Sequence, residues 1–72
     1  MSLKPVTDLP GIGKVLGGRL EAHGYRSVSD VQRQFQALGG DRDRFTSWLQ
    51  ATTGANRKQA GDCYIGLANN FY

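Results

Sequence analysis

The chain has one cysteine, Cys63, one histidine, His23, and two prolines among its 72 residues, and each shortage excludes something. A lone cysteine forms no intramolecular disulfide and cannot anchor a cysteine-based zinc site. His23 does not complete a metal cage either, because the carboxylates are not clustered around it, so neither a metal nor another cofactor is expected. No apolar run approaches the roughly 18 residues of a membrane span. The opening Met1-Ser2-Leu3-Lys4 lacks the apolar stretch of a signal peptide. A soluble, intracellular protein suited to a reducing compartment is expected. With so short a chain, one domain covering residues 1–72 is expected, burying about 60% of the surface that the unfolded chain exposes.

What is present is basic and rich in glycine. Nine Lys and Arg against six Asp and Glu leave a net charge of +3, which tilts the partners toward polyanions. The ten glycines are about twice the usual share of ~7%. They are scattered at the ends of periodic segments and act as punctuation.

The periodicity is helical throughout. Pro5 to Leu9 can form one helical turn capped by Thr7 or Asp8, before Pro10-Gly11-Ile12-Gly13 reverses the chain. Lys14 to His23 reads as a helix with Val15, Leu16 and Leu20 inward and Gly24 as its stop. Gly17 and Gly18 lie inside that helix, each costing about 1 kcal/mol relative to Ala, which implies close approach of a neighbouring helix or a ligand. Ser27 or Ser29 caps a third helix with Val28, Val31, Phe35 and Leu38 on one face, ended by Gly39-Gly40. Asp41 caps a fourth, with Phe45, Trp48 and Leu49 inward and Gly54 at its end. Asn56 caps a fifth, in which Tyr64, Leu67, Ala68 and Phe71 share a face with Cys63. No segment alternates as a strand would. The expected fold is all-α, a compact bundle of about five short helices.

One segment carries chemistry. Leu9-Pro10-Gly11-Ile12-Gly13-Lys14-Val15-Leu16-Gly17-Gly18-Arg19-Leu20 fits a helix-hairpin-helix motif. One glycine permits the positive φ that reverses the chain, and the other leaves the backbone open to approach at the helix start. Ile12 between them plugs the space between the two helices. Unpaired N–H groups from about Gly13 to Leu16 would then face outward at the positive end of a helix dipole, a site for phosphate. Lys14, Arg19 and Lys4 would add charge that displaces counterions. Backbone amides position a duplex without reading its bases, so binding indifferent to sequence is expected. A tight turn between helices with glycines at its caps is the plainer reading of the same residues.

A second candidate lies at Gly54-Ala55-Asn56-Arg57-Lys58-Gln59, where Arg57 and Lys58 occupy a first helical turn that the dipole makes unfavourable for cations. A docked anion would reverse that penalty; an Asn-capped, solvated helix start is the plainer reading. No catalytic set is apparent. His23 suits a helix C-terminus, Asp41 and Asp43 flanking Arg42 suit capping, Cys63 suits the core, and Trp48 with Phe45 suits packing more than a binding platform.

These stretches together resemble the barrier-to-autointegration factor family, small DNA-binding proteins of animal nuclei. The likeness is carried by Lys4-Pro5-Val6, by Gly11-Ile12-Gly13 with Val15-Leu16-Gly17 and Leu20-Glu21, by Gln34-Phe35 and Trp48-Leu49, and by Gly54-Ala55-Asn56 with Lys58-Gln59 and Asp62-Cys63. It runs without gaps from Lys4 to the C-terminus. The resemblance implies a SAM-like helical fold that binds double-stranded DNA without sequence preference and is not an enzyme. By position, it puts the backbone of Gly11, Gly13, Val15 and Leu16 at one phosphate contact and Asn56, Arg57 and Lys58 at the other. It also implies a nuclear location and a homodimer that bridges DNA and holds LEM-domain proteins and lamins.

The chain departs from the family where the dimer would form. Asp30-Val31-Gln32-Arg33-Gln34-Phe35-Gln36-Ala37 places polar side chains where the family's seam is apolar, and Arg44 stands where a leucine is usual. Burying an unpaired arginine costs several kcal/mol. A monomer, or a different dimer, is therefore expected, with poor bridging and low affinity for LEM domains. The family's opening helix, with its Ser/Thr phosphorylation cluster and a basic DNA contact, has no counterpart before Lys4, as in a divergent or truncated member. Gly61 replaces an arginine, removing one phosphate contact. The alternative is a protein-interaction module of the same fold with little DNA binding.

Overall fold

A computed structural model describes residues 4–69. Met1 to Leu3 and the expected core residue Phe71 lie outside them. A 3₁₀ turn, Val6–Asp8, is followed by four α-helices: α1 (Lys14–Ala22), α2 (Val28–Ala37), α3 (Arg42–Thr53) and α4 (Arg57–Asn69). The described residues contain no strand, only one isolated bridge between Pro5 and Ser27, where the Val28 amide donates to the Lys4 carbonyl at 2.9 Å. The all-α expectation is met.

Each helix starts and stops for a local reason. The 3₁₀ turn is preceded by Pro5, so Thr7 and Asp8 lie within it and do not cap it. Ser27, not Ser29, is the N-cap of α2, and the Asp30 carboxylate accepts from the amides of Arg26 and Ser27 at 3.1 and 3.3 Å. Those two amide bonds, Arg26 first, hold the Asp30 carboxyl below its ordinary value. Asp41 caps α3 by accepting from the Arg44 amide at 3.0 Å. α3 ends at Gly54, whose φ of +74° is the left-handed geometry that favours glycine.

The core lies between the 3₁₀ turn and the inner faces of all four helices. Val6, Leu9, Ile12, Leu16, Leu20, Val28, Val31, Phe45, Leu49, Ala55, Ala60, Cys63 and Leu67 are buried, with α3 packed most extensively on α4. Phe35, Leu38, Trp48 and Tyr64 are half-buried against it. Edge-on ring contacts knit its rim: Phe35 meets Phe45 at 5.4 Å, and Tyr25 meets Trp48 at 5.1 Å. Two expected core positions face out. Val15 is 66% exposed, because Leu16 and Leu20, one turn apart, set the inward face of α1 and Val15 stands about 100° away. Ala68 is exposed for the same reason: Ala60, Cys63 and Leu67 define the inner stripe of α4. Burial pushes the Cys63 thiol up to about 12, which suits packing and not nucleophilic chemistry.

The two inner glycines of α1 have different surroundings. A β-carbon at Gly17 would stand 2.7 Å from Thr7 Cγ2, so α1 meets the 3₁₀ turn there. At Gly18 it would meet nothing within 4 Å. Close approach by a neighbouring element therefore explains Gly17 and leaves Gly18 without a packing reason.

Candidate nucleic-acid interface

The hairpin forms as its glycines require. Gly11 adopts a φ of +77° and turns the chain, while Gly13, at a φ of −93°, is the N-cap of α1 and offers no side-chain cap. Ile12 between them is buried beside Gly17. The Ile12 amide donates to the Leu9 carbonyl and the Gly17 amide to the Gly13 carbonyl. Among the described residues, the amides of Gly13, Lys14, Val15 and Leu16 find no acceptor. Gly13, Lys14 and Val15 are exposed, whereas the side chains of Ile12 and Leu16 belong to the core and can offer only backbone.

α4 begins differently. The Asn56 amide donates to Gln59 Oε1 at 3.0 Å and Asn56 Oδ1 accepts from the Gln59 amide at 2.8 Å, a reciprocal capping box. The Asn56 carbonyl accepts from the Ala60 amide. The amides of Arg57 and Lys58 have no acceptor among the described residues, and Asn56, Arg57 and Lys58 are all exposed. The Asn-x-x-Gln spacing that makes this box is legible in the sequence, and Gln59 shares the capping with Asn56.

Packing holds the hairpin against α4 from its first turn to its third. A β-carbon at Gly11 would lie 2.5 Å from the Gln59 carbonyl oxygen and 3.2 Å from Asp62 Cβ. One at Gly66 would lie 2.6 Å from both Cγ and Cδ of Pro10. Two small residues, one on each partner, let the backbone of the turn lie directly on α4. No periodicity announces the Pro10–Gly66 contact, which joins segments 56 positions apart.

The other sequence-selected cations are placed as follows. Lys4 is exposed, and its carbonyl joins the start of α2. Arg19 Nη1 donates to the Thr53 carbonyl at 2.6 Å, at the end of α3. His23 is exposed and forms the C-cap of α1, and Arg42 pairs loosely with Asp43 at 3.7 Å in a fully solvated setting. No group of three or more His, Cys, Asp or Glu among the described residues could hold a metal. None of the described helices is long and apolar enough to cross a membrane.

Charge divides the four helix starts into two kinds. α2 carries Asp30 in its first turn, and α3 carries Asp43 with Asp41 as its cap, two carboxylates that balance Arg42 and Arg44 in the same turn. α1 and α4 have no acid in the first turn and carry Lys14, Arg57 and Lys58 there instead. A carboxylate is stabilising at a helix N-terminus and a cation is not, so two starts are neutralised from within and two are left positive.

The chain is similar to known proteins along most of its length. The family model described as barrier to autointegration factor matches residues 1–71. The chain is 48% identical to barrier-to-autointegration factor of Homo sapiens over 64 residues, covering 89% of this chain and 72% of that protein. It is 50% identical over 67 residues to the Danio rerio protein of the same name, covering 93% and 74%. With the Drosophila melanogaster protein the identity is 42% over 64 residues, covering 89% and 71%. With both the match along nearly its whole length and this helical architecture, the chain belongs to the barrier-to-autointegration factor family.

Proposed function

We propose that the chain binds double-stranded DNA without selecting sequence and does so by main-chain contact to phosphate, as a binding protein and not an enzyme. The backbone of the Gly11-Ile12-Gly13 turn with the amides of Lys14, Val15 and Leu16 forms one contact. Asn56 with the amides and side chains of Arg57 and Lys58 forms the second. Lys4 and Arg19 add to the positive field. The observation that carries the reading is the charge at the helix starts: α1 and α4 combine open amides at Lys14, Val15, Leu16, Arg57 and Lys58 with first-turn cations and no acid, whereas Asp30 stands at the start of α2 and Asp41 with Asp43 balances Arg42 and Arg44 at that of α3. An anion supplied from outside satisfies both the amides and the cations at once.

The same reading makes the chain a monomer that bridges DNA poorly. Its support is the outward side of α2, where Arg33, Gln36 and Ala37 are exposed, and the exposed Arg44 on α3. A seam there would desolvate two guanidinium groups, which is costly. LEM-domain proteins and lamins, which the resemblance implies, would then be held weakly, and a nuclear setting follows from the resemblance alone.

Sedimentation with and without a random duplex at two salt concentrations tests this. A monomeric free species and a Kd of about 10⁻⁴ to 10⁻⁶ M at physiological salt are expected. With about three to five phosphate contacts, log K should fall against log salt with a slope of roughly −3 to −4.5. No shift at low salt would defeat the proposal and leave the fold serving a protein partner.

A further inference from the structure

Arg19 was selected from the sequence as a cation, but its environment gives it a more specific task. The guanidinium crosses from α1 to the far end of α3, where Nη1 donates to the Thr53 carbonyl at 2.6 Å across 34 positions of sequence. That carbonyl is one of the last of α3, an unpaired acceptor at the negative end of a helix dipole, where a cation is favoured. The next residue, Gly54, is in the left-handed geometry, and a β-carbon on it would stand 2.8 Å from the same Nη1. Gly54 therefore serves twice: it turns the chain, and it leaves room for the guanidinium.

Thr53 extends the tie into the turn before α4. Its side chain is buried, with Oγ1 donating to the Leu49 carbonyl at 2.7 Å and accepting from the Ala55 amide at 3.2 Å. Ala55 is itself buried and directly precedes Asn56. The connection thus runs from the Arg19 guanidinium through the Thr53 peptide and hydroxyl to the Ala55 amide, one residue before the capping box that opens α4.

We infer that Arg19 is a positioning residue that fixes the α3–α4 turn against α1, and so sets the placement of the α4 start relative to the hairpin. The inference rests on the DNA-binding reading for its consequence, because two phosphate contacts on one rigid backbone are productive only at a matching separation. Packing of Pro10 and Gly11 on α4 fixes the hairpin side of that separation. Arg19 fixes the other side, where α3 hands over to α4.

Hydrogen exchange in the free protein tests the tie without any nucleic acid. Arg19→Gln should speed exchange of the Ala55 amide about tenfold, the worth of one charge-assisted hydrogen bond, while the amides in the middle of α2 stay within about twofold. Arg19→Lys, which keeps a donor on a flexible stem, should recover part of the protection. An unchanged Ala55 amide, or equal acceleration throughout α2, overturns the inference, the second by making Arg19 a contributor to general stability.

Duplex affinities then test the consequence by double-mutant cycles. Arg19→Gln should weaken binding about three- to tenfold, and should shrink the effect of Lys58→Ala while adding simply to that of Lys14→Ala. If Arg19 instead touches phosphate itself, Arg19→Gln lowers the salt slope by about 0.9, combines additively with Lys58→Ala, and leaves Ala55 unchanged. Failure of the unsubstituted chain to bind duplex overturns the DNA-binding reading, and exchange at Ala55 still decides the tie independently.

Discussion

The starts of α2 and α3 and the starts of α1 and α4 solve the same physical problem in opposite ways. Every α-helix leaves its first amides without internal partners. At α2 and α3 the sequence supplies carboxylates that complement the dipole: Asp30 accepts from the Arg26 and Ser27 amides just before α2 at 3.1 and 3.3 Å, and Asp41 accepts from the first-turn Arg44 amide of α3 at 3.0 Å. At α1 it supplies glycine, which caps nothing, and at α4 an amide box that adds no charge. Capping residues are easy to place, so their omission at α1, beside Lys14, leaves a local stability gain unused. On the proposed reading a ligand completes the set, and the contrast then separates helix starts built for stability from those open to an anion.

The strongest way to break this comparison is to convert an open start into a closed one. Gly13→Glu places a carboxylate at the N-cap of α1, where a β-carbon meets nothing within 4 Å and the backbone suits any residue. Duplex affinity should fall more than about tenfold while thermal stability holds or rises by about 0.3–1 kcal/mol, because the acid favours the dipole and repels phosphate. Fluorescence anisotropy and thermal melts on the same samples check both. Undiminished affinity would mean that the α1 start is not a phosphate contact.

The packing that brings the two open starts together should be the next most sensitive. Gly66→Ala drives a methyl group into the Pro10 ring and should destabilise the protein by about 1–3 kcal/mol in denaturant titrations. Gly61→Ala, five residues earlier on the same helix and facing open space, should instead stabilise it by about 0.5–1 kcal/mol. Equal effects at the two positions would show that the hairpin does not lie against α4 as described.

At a closed start the signs reverse. Asp41→Ala should cost about 1 kcal/mol of stability through the lost cap and change duplex affinity less than about twofold. Asp30 gives the smallest effect and a pH signature. Its folded-state pKa lies below the ordinary 3.8, so its contribution is complete above that value and disappears as pH falls through the lowered folded pKa. Melting temperature followed from pH 6 downward should therefore drop less steeply in Asp30→Asn than in the parent chain.

Much of the fold was legible because its determinants are local. Asp41, Gly54 and Asn56 mark helix ends through residues within four positions, and Val28, Val31, Phe45 and Leu49 face inward by periodicity alone. The exposure of Val15 is not legible, because three apolar residues in a short helix with two glycines do not fix one face, and only the packed partner chooses between Val15 and Leu16. The glycine reading was half complete for a related reason. Gly17 and Gly18 look alike in sequence, and only the position of Thr7 distinguishes them.

The amino-acid order by itself settled the helical class, the chain reversal within Pro10-Gly11-Ile12-Gly13, and which helix starts carry acid and which carry none, because each depends on side-chain chemistry acting within a turn or two. Tertiary structure alone decided that Pro10 and Gly11 lie on α4, that the Arg19 guanidinium ends on the Thr53 carbonyl, and that Gly18 faces open space. Those outcomes depend on approach between segments tens of residues apart, and close packing of whole helices, not the preference of any single residue, determines such approach.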